Sequence, residues 1–285
     1  MFGLVFIAAG ALIVLTSLDV IHTDDADFHA PRELVAAFGM LFFLPGAWMV
    51  IHGLMGVART RRLAAAAQRH LNAAWLYEHP WDRTGQRRSG WRRVGASLIG
   101  LTILSVFLAP FHWFLFFTAE DFPVFPQVIM GIFDLILLFI VADLLKRIVQ
   151  ALRYGTTYVR YEHFPYATGG TVRIALGVTR DPPRFDRLTV TLRAVEEVYE
   201  TSGSGDNRSQ KVVAYAVQQH ESVVTHPHEM PTVQRDAWFE FDVERDAPGT
   251  DLASRPPKYW ELAIHGDAPG VDFEDVFLVP IYNPL

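Results

Sequence analysis

The chain has 285 residues, of which 51% are hydrophobic, a formal net charge of −6 and no cysteine. The absence of cysteine excludes disulfides, thiolate catalysis, iron–sulfur clusters and cysteine-ligated zinc. Residues 156–285 carry 12 basic and 20 acidic side chains, a balance that argues against nucleic-acid binding.

Four long apolar runs occupy the first half of the chain, at 1–20, 34–57, 96–118 and 128–145. A helix needs roughly 20 mostly apolar residues to cross a bilayer core of about 30 Å, so these runs predict four transmembrane helices within 1–154. The first run has no Lys or Arg at its start and no small-x-small cleavage pattern. We therefore interpret it as a retained span rather than a signal peptide.

Charged residues between the runs predict how the spans are oriented. Residues 58–95 contain nine arginines and two acidic residues, and 146–153 are also basic, whereas 21–33 and 119–127 are acidic. Because Lys and Arg mark the cytoplasmic side, we expect a protein of the bacterial inner membrane with both termini in the cytoplasm. Within the basic cytoplasmic loop, Arg59–Trp81 predicts a helix that lies on the lipid headgroups of the bilayer.

The sequence HTDDADFH directly follows the first run. Imidazole and carboxylate groups suit zinc, manganese or iron, so the candidate metal ligands are His22, Asp24, Asp25, Asp27 and His29. The stretch has neither the glycine of an EF-hand nor a His-Glu-x-x-His helix to organise these groups. We favour a solvated acidic lip of the membrane span, with a metal site as the alternative.

Asp134 and His112 are polar residues inside the apolar runs. At 1.5 Å per residue both lie about 9–11 Å below the outer surface, close enough in depth to touch. Ionisable groups in hydrocarbon are costly and are usually paired or functional. A hydrogen bond that fixes helix packing is the favoured interpretation, and a proton relay or ligand site is the alternative.

From residue 156 onward the chain changes to short segments in which apolar and polar residues alternate between turn residues, a pattern that predicts β-strands. The predicted strands are Thr157–Glu162, Thr171–Val178, Leu188–Tyr199, Lys211–Gln219, Ala237–Val243, Tyr259–His265 and Val276–Tyr282. This spacing is typical of an antiparallel β-sandwich. The predicted fold class is therefore α+β, with four transmembrane helices followed by a cytosolic domain at 155–285.

Two stretches, FPYATGGTVRIALGV and YWELAIHGDAPGVDFEDVFLVPIY, resemble a family of uncharacterised bacterial membrane proteins that join four spans to a soluble β domain. The matching positions are Trp260, Leu262, Pro269, Gly270, Asp272, Phe277, Val279 and Pro280. The resemblance implies an arrestin-like or immunoglobulin-like sandwich and brings no activity with it. From their residue types, Trp260 and Phe277 are expected in the core of paired strands, and Pro269–Gly270 at a turn.

No catalytic motif or cofactor motif is found, so we expect a non-enzymatic protein without a cofactor. The membrane anchor and the β domain together predict an accessory subunit or scaffold that binds a protein partner or another copy of the chain. One alternative is a small transporter, channel or sensor that uses Asp134 and His112. The other is a metal-dependent membrane enzyme that uses the loop at 22–29.

Overall fold

The computed structural model describes residues 2–21, 32–69, 73–113, 115, 124–180, 185–202 and 209–284. The chain forms two compact units. A helical unit comprises Met1–Arg62 and Val94–Leu145, and a β unit comprises Leu63–Arg93 and Lys146–Leu285. The segment between the second and third apolar runs therefore contributes most of its residues to the β unit.

Four α-helices carry the apolar runs: α1 (Phe2–Ser17), α2 (Arg32–Arg69), α3 (Gly90–Trp113) and α4 (Val124–Tyr154). In the part of the chain that the structure describes, three helices are long and apolar enough to cross a membrane, and α1 is a shorter apolar helix of 16 residues. The predicted apolar helices are thus present. That all four helices cross the bilayer remains a prediction.

Helices α1 and α2 pack through glycines spaced seven residues apart on each helix. A Cβ built on Gly10 would lie 2.6 Å from the carbonyl oxygen of Gly39, and a Cβ on Gly46 would lie 2.7 Å from that of Gly3. Only glycine lets two helix backbones approach this closely, and small residues are typical of helix contacts in membranes. Helix α3 packs on α4 through Leu108 and Met130.

The observed extent of helix α2 differs from the prediction made for the basic loop. Arg59–Trp81 was predicted to form a separate helix on the headgroups, but α2 continues without a break to Arg69, and a single 3-10 turn follows at Ala74–Leu76. The alanine run after Arg62 has high helix propensity, and no Gly or Pro occurs between Gly56 and Arg69, so the helix continues.

The β unit contains ten strands in its described residues. They are β1 (Gly85–Ser89), β2 (Thr156–Tyr161), β3 (Tyr166–Ala167), β4 (Thr171–Val178), β5 (Arg187–Ser202), β6 (Ser209–Val224), β7 (Ala237–Asp242), β8 (Lys258–Asp267), β9 (Phe273–Val279) and β10 (Ile281–Tyr282). Two four-stranded antiparallel sheets, in the orders β1-β2-β4-β7 and β6-β5-β8-β9, share one apolar core, and β3 pairs with β10 in parallel.

The predicted C-terminal β domain is therefore present, and its strands alternate as expected. Val172, Ile174 and Leu176 of β4 are buried opposite Leu188, Val190 and Leu192 of β5, all at 0% exposure. The last predicted strand is two strands, because Pro280 lacks an N–H and separates β9 from β10. Strand β1 was not predicted, since GQRRS has no apolar alternation, and its pairing with β2 selects its conformation.

Candidate functional site

The predicted metal-ligating loop, His22 to His29, lies outside the described residues. Across the ranges that the structure does describe, no group of three His, Asp or Glu side chains is arranged to hold a metal ion. The metal-site alternative for 22–29 therefore stays a prediction from sequence.

The structure brings His112 of α3 and Asp134 of α4 together. The imidazole Nε2 lies 2.9 Å from the Asp134 Oδ1 atom, and the imidazole Nδ1 lies 3.0 Å from the carbonyl oxygen of Leu108. The protein leaves 32% of the His112 side chain and 51% of the Asp134 side chain uncovered. Two ionisable groups on neighbouring apolar helices thus form a pair that the helical unit does not enclose.

The two contacts of His112 restrict where its protons are. The carbonyl oxygen of Leu108 can only accept, so Nδ1 carries a proton and donates it. The contact between Nε2 and Asp134 then needs one further proton, either as imidazolium beside carboxylate or as neutral imidazole beside a carboxylic acid. The pair can therefore hold one proton between two sites, which is the chemistry of both a structural clamp and a relay.

The residues that carry the family resemblance lie in the core and turns of the β unit. Trp260 is 1% exposed and pairs with Val279, and Phe277 is 0% exposed and pairs with Leu262. Gly270 has a φ of +95°, which favours glycine. Asp272 accepts a hydrogen bond from the N–H of Ala268, 3.2 Å away, and so closes the turn, and the carbonyl of Pro280 accepts from the N–H of Tyr166. These contacts are structural.

A buried carboxylate, Asp275 on β9, joins strand β9 to the start of α3. Its side chain is 1% exposed, and its Oδ1 atom lies 2.7 Å from Nη2 of Arg93 and 3.7 Å from Nη1 of Arg88. Burial raises the pKa of the Asp275 carboxyl group, although both guanidinium groups act in the opposite direction. The cluster holds β1 and its neighbouring residues against the second sheet.

The β5–β6 hairpin extends past the sheet that supports it. Strand β5 pairs with β8 only from Arg187 to Glu196, whereas its pairing with β6 continues to Ser202. The exposed apolar side chains at this end are Val198, Tyr199 and Val212, and Tyr215 and Val217 follow directly after it on β6; each of the five is 39–52% exposed. A two-stranded ribbon is only marginally stable alone in water, so this end of the hairpin is suited to being covered.

The β unit also contains a groove that the sequence did not predict. It has a volume of about 790 Å³ and is lined by the Ala74–Glu78 segment, the Pro248–Asp251 turn and the chain end after β10. Glu78 is 8% exposed and accepts a hydrogen bond from the N–H of Leu252, 3.3 Å away. The sequence signal for this groove is the density of aromatic residues around one acid in WLYEHPW at 75–81.

No family model and no curated protein matches the chain. Among solved structures, a crystal structure of Spo0M, a sporulation control protein from Bacillus subtilis, is similar with a TM-score of 0.29 and 13% sequence identity. The match covers 45% of this chain and 49% of that one, so it spans about half of the length of that protein. At this TM-score the likeness carries no argument about this chain.

Proposed function

We propose that the chain is a non-enzymatic inner-membrane protein with four spans and cytoplasmic termini, acting as an accessory subunit or scaffold. Its cytosolic β domain binds a partner protein that adds an extended strand to the free edge of β6. The observation that carries this proposal is the end of the β5–β6 hairpin, where exposed apolar side chains occur together with an edge of β6 that pairs with no other strand among the described residues.

The composition of β6 supports a docking edge. Exposed sheet edges are normally protected by charged residues, proline or short length. The other edge strands of the two four-stranded sheets, β1, β7 and β9, follow this rule through their short length of five to seven residues. Strand β6 has 16 residues, and the stretch VVAYAVQQ at 212–219 contains neither charge nor proline. Such an edge favours strand addition by a partner.

Lysine at both Val212 and Val217 is expected to abolish partner binding, because burying two ammonium groups in the added interface is costly. We expect the wild-type protein, extracted gently from native membranes, to retain a stoichiometric partner that mass spectrometry identifies. The double variant should retain at least about tenfold less of it, which corresponds to about 1.4 kcal/mol.

Val223→Lys is the matched control for this experiment. Val223 is on the same strand and 43% exposed, but it lies outside the uncharged stretch at 212–219 and opposite Thr189, near the far end of the hairpin. The control should retain the partner. The proposal would be contradicted if all three proteins retained equal amounts of the partner, or if the wild-type protein were recovered without any partner. The mass of the intact complex shows whether the partner is a second copy of this chain.

The His112–Asp134 pair supports a second candidate function, a small transporter, channel or sensor. Its specific basis is the shared proton in a pair that the helical unit leaves partly uncovered. In this proposal, proton exchange between imidazole and carboxylate couples to movement of a proton or solute through the helices.

Asp134→Asn is expected to stop proton movement, because an amide cannot exchange a proton with the imidazole at neutral pH. The measurement is the decay of an imposed pH gradient in proteoliposomes, read with an internal pH-sensitive dye. The wild type should collapse the gradient at least about tenfold faster than the variant, the loss typical of removing a proton-transfer group. Asp143→Asn on the same helix should behave as wild type. If the gradient decays no faster with the wild-type protein than in empty liposomes, this candidate function is wrong.

A further inference from the structure

The groove at the Ala74–Glu78 segment has an aromatic wall with an acid at its base. The rings of Trp75 and Tyr282 meet edge to face, with centroids 5.7 Å apart. The hydroxyl of Tyr282 accepts a hydrogen bond from the indole N–H of Trp81, 3.1 Å away, and lies near enough to Glu78 to lower the pKa of its carboxyl group. The Glu78 carboxylate accepts a hydrogen bond from the N–H of Leu252.

The acids of this groove have no cationic partner among the described residues. Glu78 is nine-tenths buried, and Asp251 lines the same groove. Lys258 also lines it, but its ammonium group lies 2.8 Å from the carboxylate of Glu196. Burial raises the pKa of Glu78, and the negative charge of Asp251 acts in the same direction. A buried carboxylate without a counter-ion is costly, and a cation that entered the groove would offset that cost.

A second feature of the groove points independently to a ligand. Thr250 is 6% exposed and lines the groove, and its buried Oγ1 atom has no hydrogen-bond partner in the part of the chain that the structure describes. Buried hydroxyl groups are nearly always hydrogen-bonded, so an orphan hydroxyl in the wall of an open groove marks a position for a donor or acceptor from outside the chain. The backbone of Thr250 is fixed, because its N–H donates to the carbonyl of Ile281 at 2.7 Å.

We propose that this groove binds an organic cation, an alkylammonium or alkylguanidinium group, with Glu78 as its counter-ion, Thr250 as a hydrogen-bond partner and Trp75 and Tyr282 as its aromatic wall. Carboxylates supply the charge that such a group needs, and aromatic faces attract cations within about 6 Å of the ring centroid. The residues that line the groove include none from β6, so the proposal rests on other observations than the proposed function does.

The test is calorimetric titration of the full-length protein in mild detergent with n-butylguanidinium and n-butylammonium chloride. We expect saturation at or below about 10 mM, the range that detects binding of roughly millimolar strength. The anion n-butyrate, which has a similar alkyl chain, should not bind. A short neutral-capped peptide with one central arginine distinguishes the two sources of the cation, because tighter binding than butylguanidinium indicates a partner's side chain and equal or weaker binding a free small molecule.

Glu78→Gln keeps the shape of the side chain and should weaken cation binding at least about tenfold, since it removes the charge that pairs with the ligand. Thr250→Val, which is also similar in shape, should weaken binding about threefold or more through loss of one hydrogen bond. Glu240→Gln, an exposed carboxylate on β7, is the control and should bind as wild type. Absence of cation binding to the wild type, or unchanged binding by Glu78→Gln with unchanged thermal stability, would overturn the proposal.

Discussion

Replacing Asp275 by alanine is expected to destabilise the β unit by about 3 kcal/mol, the lower part of the range for breaking a buried ion pair. The carboxylate is 99% covered and accepts hydrogen bonds from the guanidinium of Arg93 and the N–H of Val276. The expected loss in the free energy of unfolding is at the lower end of this range, because the side chain of Arg93 is 40% exposed and water can solvate it in the variant. An effect of this size corresponds to a fall in melting temperature of about 6–12 °C.

Thermal unfolding of the detergent-solubilised protein, followed by tryptophan fluorescence, measures the effect. Glu274→Ala is the matched control, because Glu274 is the preceding residue on the same strand and its side chain is 68% exposed. The control should change the melting temperature by no more than about 2 °C, as for most surface substitutions. A double variant with Arg93→Met tests the pair itself: if the two single losses add, the ion pair does not couple and the account of this cluster is wrong.

Strands β4 and β7 were predicted best from sequence. Strand β7 was predicted to within one residue because buried and exposed residues alternate along its whole length. Strand β4 was predicted with its observed bounds, although only its first half alternates and residues 174–178 are all buried. The extents of β5 and β6 were underestimated at both ends: the shared end near Ser202 and Ser209 extends past the supporting sheet, and residues 220–224 of β6 are fixed by their pairing with β5. Strand β1 and the continuation of α2 to Arg69 depend on pairing and on the absence of a helix breaker, neither of which hydrophobic periodicity reports.

The two candidate sites also differ in how well they could be predicted from the sequence. His112 and Asp134 could be paired from sequence because depth along two apolar helices is set by the rise per residue, and the structure places them 2.9 Å apart. The groove at Glu78 could not be predicted, because the residue that donates to its carboxylate, Leu252, is 174 positions away along the chain. Aromatic residues around an acid in the sequence do not by themselves predict a groove, because the residues that form its opposite wall are distant along the chain.

Leucine at Gly46 is expected to separate α1 from α2. A Cβ at this position would lie 2.7 Å from both the carbonyl oxygen of Gly3 and the backbone nitrogen of Ile7, and backbone atoms cannot rotate away as a side chain can. Overpacking typically costs about 1–3 kcal/mol, and we expect about 3 kcal/mol here because the obstacle is main chain.

Gly53→Leu is a close control, because Gly53 lies seven residues further along α2 and a Cβ there would meet nothing within 4 Å. Both substitutions raise helix propensity by about 1 kcal/mol, so the changes in stability should have opposite signs. Gly46→Leu should destabilise the protein, and Gly53→Leu should leave its stability unchanged or raise it slightly.

The chain has no cysteine, so a single engineered cysteine pair reports the contact between α1 and α2. The rings of Phe6 and Phe42 stack 5.9 Å apart, and cysteines at these positions should crosslink in the Gly53→Leu background but not in the Gly46→Leu background. Crosslinking of equal yield in both would mean that the glycines do not set the distance between the helices, and that α1 is held to α2 by its aromatic side chains instead.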